Sequence, residues 1–133
     1  MSVLVDTSAF YALAHDGDKC HNAAVQCWSD LLDTNEVLTT SNYVVLESTA
    51  LLHTRHGISA VRRFVDDVLP AVRVIWVDEQ THALALSRTL GVLVQHGPSL
   101  VDCVSFELMR RHRIDKAFTY DQHYERVGFT MIG

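Results

Sequence analysis

Four carboxylates, Asp6, Glu47, Asp102 and Asp121, carry most of the chemistry that this sequence offers. Asp6 directly follows the apolar run Ser2-Val3-Leu4-Val5, and Asp121 follows Lys116-Ala117-Phe118-Thr119. Asp102 sits in the first turn of an apolar stretch, Ser99 to Met109. Glu47 shares a helical face with Tyr43 and Leu51. A carboxylate in apolar surroundings is costly to bury unless something uses it. The natural user is a hard divalent cation such as Mg²⁺, which takes oxygen ligands. Without a cation, four neighbouring carboxylates repel, and at least one takes up a proton. With one, they can lower the pKa of a bound water and steady the charge that builds on a phosphate under attack. Each acid also has a local explanation. Ser99 and Asp102 fit a capping box, Asp6 an N-cap, Asp121 an Asx-turn, and Glu47 an exposed helical position. Taken singly, the local explanations are the better ones. Four acids in order, each at an element end or on a buried-looking face, are harder to ascribe to coincidence.

The elements that must position them read as strands alternating with helices. Ser2–Val5, Glu36–Thr40, Val72–Val77 and Lys116–Thr119 are short apolar runs suited to strands buried on both faces. Phe129–Ile132 reads as a short edge strand. Helices are expected over Ala9–Ala14 and His21–Asp33, and from about Asn42 to His56 with Gly57 as the stop. Further helices are expected over Ile58–Leu69 ended by Pro70, from an Asp78 cap to about Leu90, and from Ser99 to about His112. Val92–Pro98 reads as a connector. The alternation predicts one α/β domain over residues 1–133, with a central parallel sheet of four to five strands and helices on both faces. In such sheets ligands bind beyond the carboxyl ends of the strands, which is where Asp6 and Asp121 fall.

Composition narrows the class. The chain is 48% hydrophobic, enough for one core. No apolar run is long enough to span a bilayer, and the N-terminus lacks a basic stretch before an apolar run, so neither a membrane span nor a signal peptide is expected. The three cysteines, Cys20, Cys27 and Cys103, have no paired spacing, which fits reduced thiols in the cytoplasm. The formal net charge of −5 argues against a strongly basic nucleic-acid binder. With the four acids set around a cation, the remaining surface is nearly neutral, a balance open to an enzyme acting on a polyanion.

Val5-Asp6-Thr7-Ser8, Glu47 after Thr40-Ser41-Asn42, Leu100-Val101-Asp102-Cys103 and Phe118-Thr119-Tyr120-Asp121 together resemble the PIN-domain nucleases. More narrowly, they resemble the VapC-type toxins of VapBC toxin–antitoxin pairs. The resemblance covers nearly the whole chain. It implies a Mg²⁺- or Mn²⁺-dependent endoribonuclease with Asp6, Glu47, Asp102 and Asp121 as the acidic quartet. Thr7 or Ser8, and Thr119, would be hydroxyls holding carboxylates or an ion-bound water. It also implies an RNA substrate, a cognate antitoxin lying over the groove, and a homodimer. The chain departs from many members in Cys103-Val104-Ser105-Phe106, where an Ala-rich pattern is usual, and in its modest basic content.

Substrate contacts are less legible. Arg110, Arg111, Arg113 and Lys116 form the densest basic group, although a helix C-terminus favours positive charge for its own reasons. Arg55, Arg62 and Arg63 form a second group. The early apolar residues Phe10, Tyr11, Leu13 and Trp28 fit core better than a partner surface. Eight histidines invite a zinc site, but no four-ligand spacing occurs. His123, two past Asp121, is expected as a surface loop residue. Other functions fit less well. A phosphoacceptor domain needs paired early acids, and Asp6 has no acidic neighbour. A HAD-type phosphatase needs a second Asp at the position of Ser8. A PIN-like domain in RNA processing, or one acting only as a binding module, is the remaining alternative.

Overall fold

The order of five parallel strands sets the site. In the computed structural model, which describes residues 1–92 and 95–133, β1 (Ser2–Val5) lies at the centre of the sheet. β2 (Val37–Ser41) and β3 (Arg73–Ile75) extend it on one side, and β4 (Lys116–Phe118) and β5 (Thr130–Ile132) on the other, giving the order β3-β2-β1-β4-β5. The chain therefore steps outward from β1 twice, in opposite directions. With right-handed crossovers, those two excursions place their helices on opposite faces. The crevice opens where the direction reverses, beyond the carboxyl ends of β1 and β4.

Alternation along β1 shows both faces covered. Val3 and Val5 pack into one core with Phe10, Ala24, Leu52, Phe64 and Phe118, on the side of α1 (Thr7–Ala14), α2 (His21–Leu32), α3 (Asn42–His56) and α4 (Ile58–Arg63). Leu4 turns the other way, toward Phe106, Met109, Ala117 and Tyr124. Those residues involve α6 (Leu100–Arg111) and α7 (His123–Arg126), with α5 (Glu79–Gly91) packed beside α6. Phe10 is 1% exposed and meets Phe64 edge-to-face at 5.1 Å, as expected for core. Tyr11, Leu13 and Trp28 are only partly buried against the same cluster.

Caps set the helix starts that matter. Asp6, Ser41, Asp78 and Ser99 each accept a backbone N–H of their own helix's first turn. Gly57 ends α3 with φ of 83°, a conformation L side chains rarely adopt. Two expectations are corrected, and one element is added. The Ile58–Leu69 helix is α-helical only to Arg63; Phe64–Val68 widens to a π turn, and Pro70 lies within a 3-10 turn at Leu69–Ala71. Pro70 has no N–H to bond back along an α-helix, so regular winding stops short of it. β3 spans three residues rather than the six of Val72–Val77, and α7 is a single turn too short to leave a periodic signal. Residues 93 and 94 of the expected connector lie outside the described residues. No helix among the described residues is long and apolar enough to cross a membrane.

Candidate active site

All four acids line one cleft of about 390 Å³ at the carboxyl edge of the sheet. Asp6 arrives there because β1 ends at Val5 and α1 begins at Thr7, so the residue between them sits on the edge. It is 3% exposed, and hydroxyls from three places converge on it. Ser8 Oγ donates to Oδ2 at 2.9 Å, Thr119 Oγ1 to Oδ2 at 3.0 Å, and Tyr124 OH to Oδ1 at 3.0 Å. The Ser8 and Thr119 hydroxyls in turn accept from the backbone N–H groups of Tyr120 (2.9 Å) and Asp121 (3.0 Å). Asp6 is thereby tied to the loop that carries Asp121. Burial raises its pKa, against the lowering effect of Ser8, Thr119 and Tyr124.

Asp102 is the third helical residue of α6 and completes a capping box with Ser99. Its N–H donates to Ser99 Oγ at 3.1 Å, and its Oδ2 accepts from Ser99 N–H at 3.0 Å. Oδ1 has no hydrogen-bond partner among the described residues. Burial first, then the charges of Asp6 and Asp121, push its pKa up to about 6. Asp121 Oδ1 accepts from both the backbone N–H (2.9 Å) and Nδ1 (2.8 Å) of His123. His123 is therefore not a free surface residue: it opens α7, and its ring belongs to the site. Asp102, Asp121 and His123 offer ligand atoms within 4.8 Å of one another. Glu47 is exposed on α3 and lines the cleft outside this tighter group.

Of the expected hydroxyls, Ser8 and Thr119 hold a carboxylate and Thr7 does not. Thr7 is 8% exposed, lines the cleft, and leaves its buried Oγ1 without a hydrogen-bond partner among the described residues. Such an orphan in a polar cleft fits an added ion or its water shell. The donor set fits too: carboxylate oxygens suit Mg²⁺ or Mn²⁺, with one imidazole beside them.

Arg110, Arg111, Arg113 and Lys116 are not brought to the cleft. Asp102 lies in the first turn of α6 and Arg110 in the last, eight residues or roughly 12 Å apart along the axis. Lys116 starts β4, whose far end faces the site. Three of the four are engaged elsewhere: Arg110 with Glu107, Arg111 with Asp78, and Lys116 with Glu36. The cleft wall holds Lys19 instead, with Asp18, Cys20, Tyr11 and Tyr120.

Tyr124 was not foreseen either. It is fully buried, and burial followed by the Asp6 charge holds its hydroxyl well above the usual tyrosine range, so it donates. Tyr124→Phe leaves Asp6 Oδ1 without its donor and is expected to lower stability by about 1–3 kcal/mol. Urea denaturation checks this, and an unchanged midpoint contradicts it.

The PIN domain family matches residues 3–130. The chain is 31% identical over 135 aligned positions to the 23S rRNA-specific endonuclease VapC20 of Mycobacterium tuberculosis, covering 98% of this chain and 97% of that protein. The crystal structure of M. tuberculosis VapC20, described as a sarcin-ricin loop cleaving toxin, superposes with a TM-score of 0.85 at 29% identity over 96% of each chain. FitAcB from Neisseria gonorrhoeae shares the fold at a TM-score of 0.70 and 16% identity, over 100% of this chain and 97% of that one.

Proposed function

Since this chain belongs to the PIN domain family, we propose that it is a metal-dependent endoribonuclease, the toxin of a type II toxin–antitoxin pair. The observation that carries the reading is convergence: Asp6, Glu47, Asp102 and Asp121, scattered through the sequence, line one cleft at the switch point of the sheet. The full-length likeness to a 23S rRNA-specific endonuclease supports an RNA substrate, and makes ribosomal RNA the first to assay.

Asp102, Asp121 and the His123 ring would hold the ion, with Asp6 and Glu47 completing the acidic surround. Bound there, Mg²⁺ or Mn²⁺ would offset the mutual repulsion of the carboxylates and stabilise the charge that develops on the scissile phosphate. The chain's own residues do the rest. Ser8, Thr119 and Tyr124 fix Asp6, so that it does not have to reorganise during reaction. Asp102 uses Oδ2 in its cap, leaving Oδ1 turned to the cleft, where it would hold the ion beside an attacking water. In-line attack by that water cleaves the phosphodiester with no covalent enzyme intermediate.

An acidic cleft is also a receptor for an Arg or Lys supplied by a partner, which supports an antitoxin tail as its inhibitor. The reading includes a homodimer, and a cytoplasmic location in keeping with the free cysteines. The deciding experiment incubates purified protein with ribosomal RNA. Cleavage in Mn²⁺ or Mg²⁺ that stops in excess EDTA is expected. Cleavage that continues in EDTA, or none in any divalent ion, defeats the proposal.

A further inference from the structure

Beside the acidic cleft, α1 and α3 present a second, differently charged wall. Glu47, Leu51 and Arg55 follow one another at four-residue steps on α3, so they share a face, and the first two line the cleft. That row leads away from the acids, with Arg55 roughly 12 Å beyond Glu47. Opposite it, Tyr11 of α1 also lines the cleft. Tyr11 OH hydrogen-bonds His56 Nε2 at 3.0 Å. The rings of His56 and His15 stack with centroids 4.4 Å apart and planes at 33°. The Arg55 guanidinium lies over the Tyr11 ring, 5.4 Å from its centroid. Gly17 leaves room for this arrangement, since a Cβ there would meet His15 Cε1 at 2.8 Å.

Resting on the nuclease reading above, we propose that this wall is the track along which the RNA strand runs from the cleavage point. Arg55 and Lys19 contact phosphates, and the Tyr11–His56–His15 group offers its ring faces to a base. Three facts favour it. Among the described residues, Lys19 is the one Lys or Arg that lines the cleft, and neither it nor Arg55 takes part in an ion pair, whereas Arg110, Arg111 and Lys116 do. Arg55 and His56 are exposed, so a strand can reach them. The wall offers cations and ring faces in line with the acids, the pairing that single-stranded nucleic acid uses. A basic protein tail suits the carboxylates of the cleft itself, but extended along this wall it would meet Lys19 and Arg55 as like charges.

The test uses fluorescence anisotropy of a labelled 12-nucleotide single-stranded RNA in Mn²⁺, on a D102N background so that the probe stays intact, over a range of salt. Arg55→Gln and Lys19→Gln are each expected to weaken binding about fivefold or more and to reduce the salt slope by about 0.7, the value for one lost phosphate contact on a single strand. Tyr11→Leu removes a ring face and is expected to weaken binding about fivefold or more while leaving the salt slope as in its parent, with circular dichroism confirming the fold. Unchanged affinity and slope in both charge variants overturn the track. So does R55Q keeping its RNA affinity while losing a copurifying protein partner, which would reassign the wall. Cleavage by the otherwise wild-type protein is scored separately: its absence removes the nuclease reading, and unaltered RNA binding by R55Q and K19Q with cleavage intact removes only the track.

Discussion

Asp102→Asn is expected to reduce RNA cleavage by roughly 10²-fold or more with divalent ion present, because it removes a charged ligand of the ion, and even a group that only supports a ligand is worth about 10–100-fold. The variant is a clean one. The Asn side-chain oxygen can still accept from Ser99 N–H, and the backbone N–H of residue 102 still reaches Ser99 Oγ, so the cap on α6 persists. What disappears is the negative charge and the basic oxygen turned to the cleft. Asp6→Asn should be equally inactive but structurally less neutral. Both Asp6 oxygens accept from hydroxyls, and an NH₂ in place of either one faces a donor. Gel analysis of cleaved RNA, with circular dichroism to confirm folding, checks both. Full activity in either variant would refute the assigned role.

The second large effect is on stability without metal. Asp102 has a folded-state pKa of about 6 against 3.8 for the free group, and burial raises Asp6 as well. Between those values the folded chain binds more protons than the unfolded chain. Stability is therefore fully present below pH 3.8, and falls as pH rises through about 6. For Asp102 alone the gap corresponds to ~3 kcal/mol. Roughly half of that gap, ~1.4 kcal/mol, falls between pH 5 and pH 8, so in EDTA the melting temperature should be lower at pH 8 than at pH 5 by about 5 °C from this group alone. Asp102→Asn should remove most of that difference, and Mn²⁺ at pH 8 should restore stability to the unmodified protein by favouring the charged carboxylates. Differential scanning fluorimetry reads all three. An EDTA profile that rises from pH 5 to 8, or a D102N variant with the same slope, would show that Asp102 ionises freely in the fold.

Asp102 and Asp121 also explain how a local and a functional reading can both hold. The capping box exists, and so does the Asx-turn at Asp121. Each consumes one carboxylate oxygen and thereby aims the other. The choice posed from sequence, cap or ligand, is not a choice in the fold, because a carboxylate has two oxygens.

The misplaced basic group shows where pattern fails. Arg110 and Arg111 are close to Asp102 in sequence, but a helix converts that closeness into axial distance and carries them to the other end of the sheet. Arg55, far from Asp102 in sequence, is set by the packing of α3 against α1 on a wall that begins at the cleft, over the ring of the cleft-lining Tyr11. His123 and Tyr124 belong to one short turn whose role depends on contacts with Asp121 and with Asp6 across the sheet.

Strand runs, caps, helix faces and the order of the four acids were determined by the sequence alone, because each rests on interactions within about four residues of chain. Tertiary structure alone decided the direction of the two outward steps from β1, and hence which strand ends meet. It also decided that hydroxyls from positions 8, 119 and 124 close on one carboxylate, and which cations stay unpaired beside the cleft. Those outcomes depend on contacts between residues up to 118 positions apart, where no local periodicity carries information.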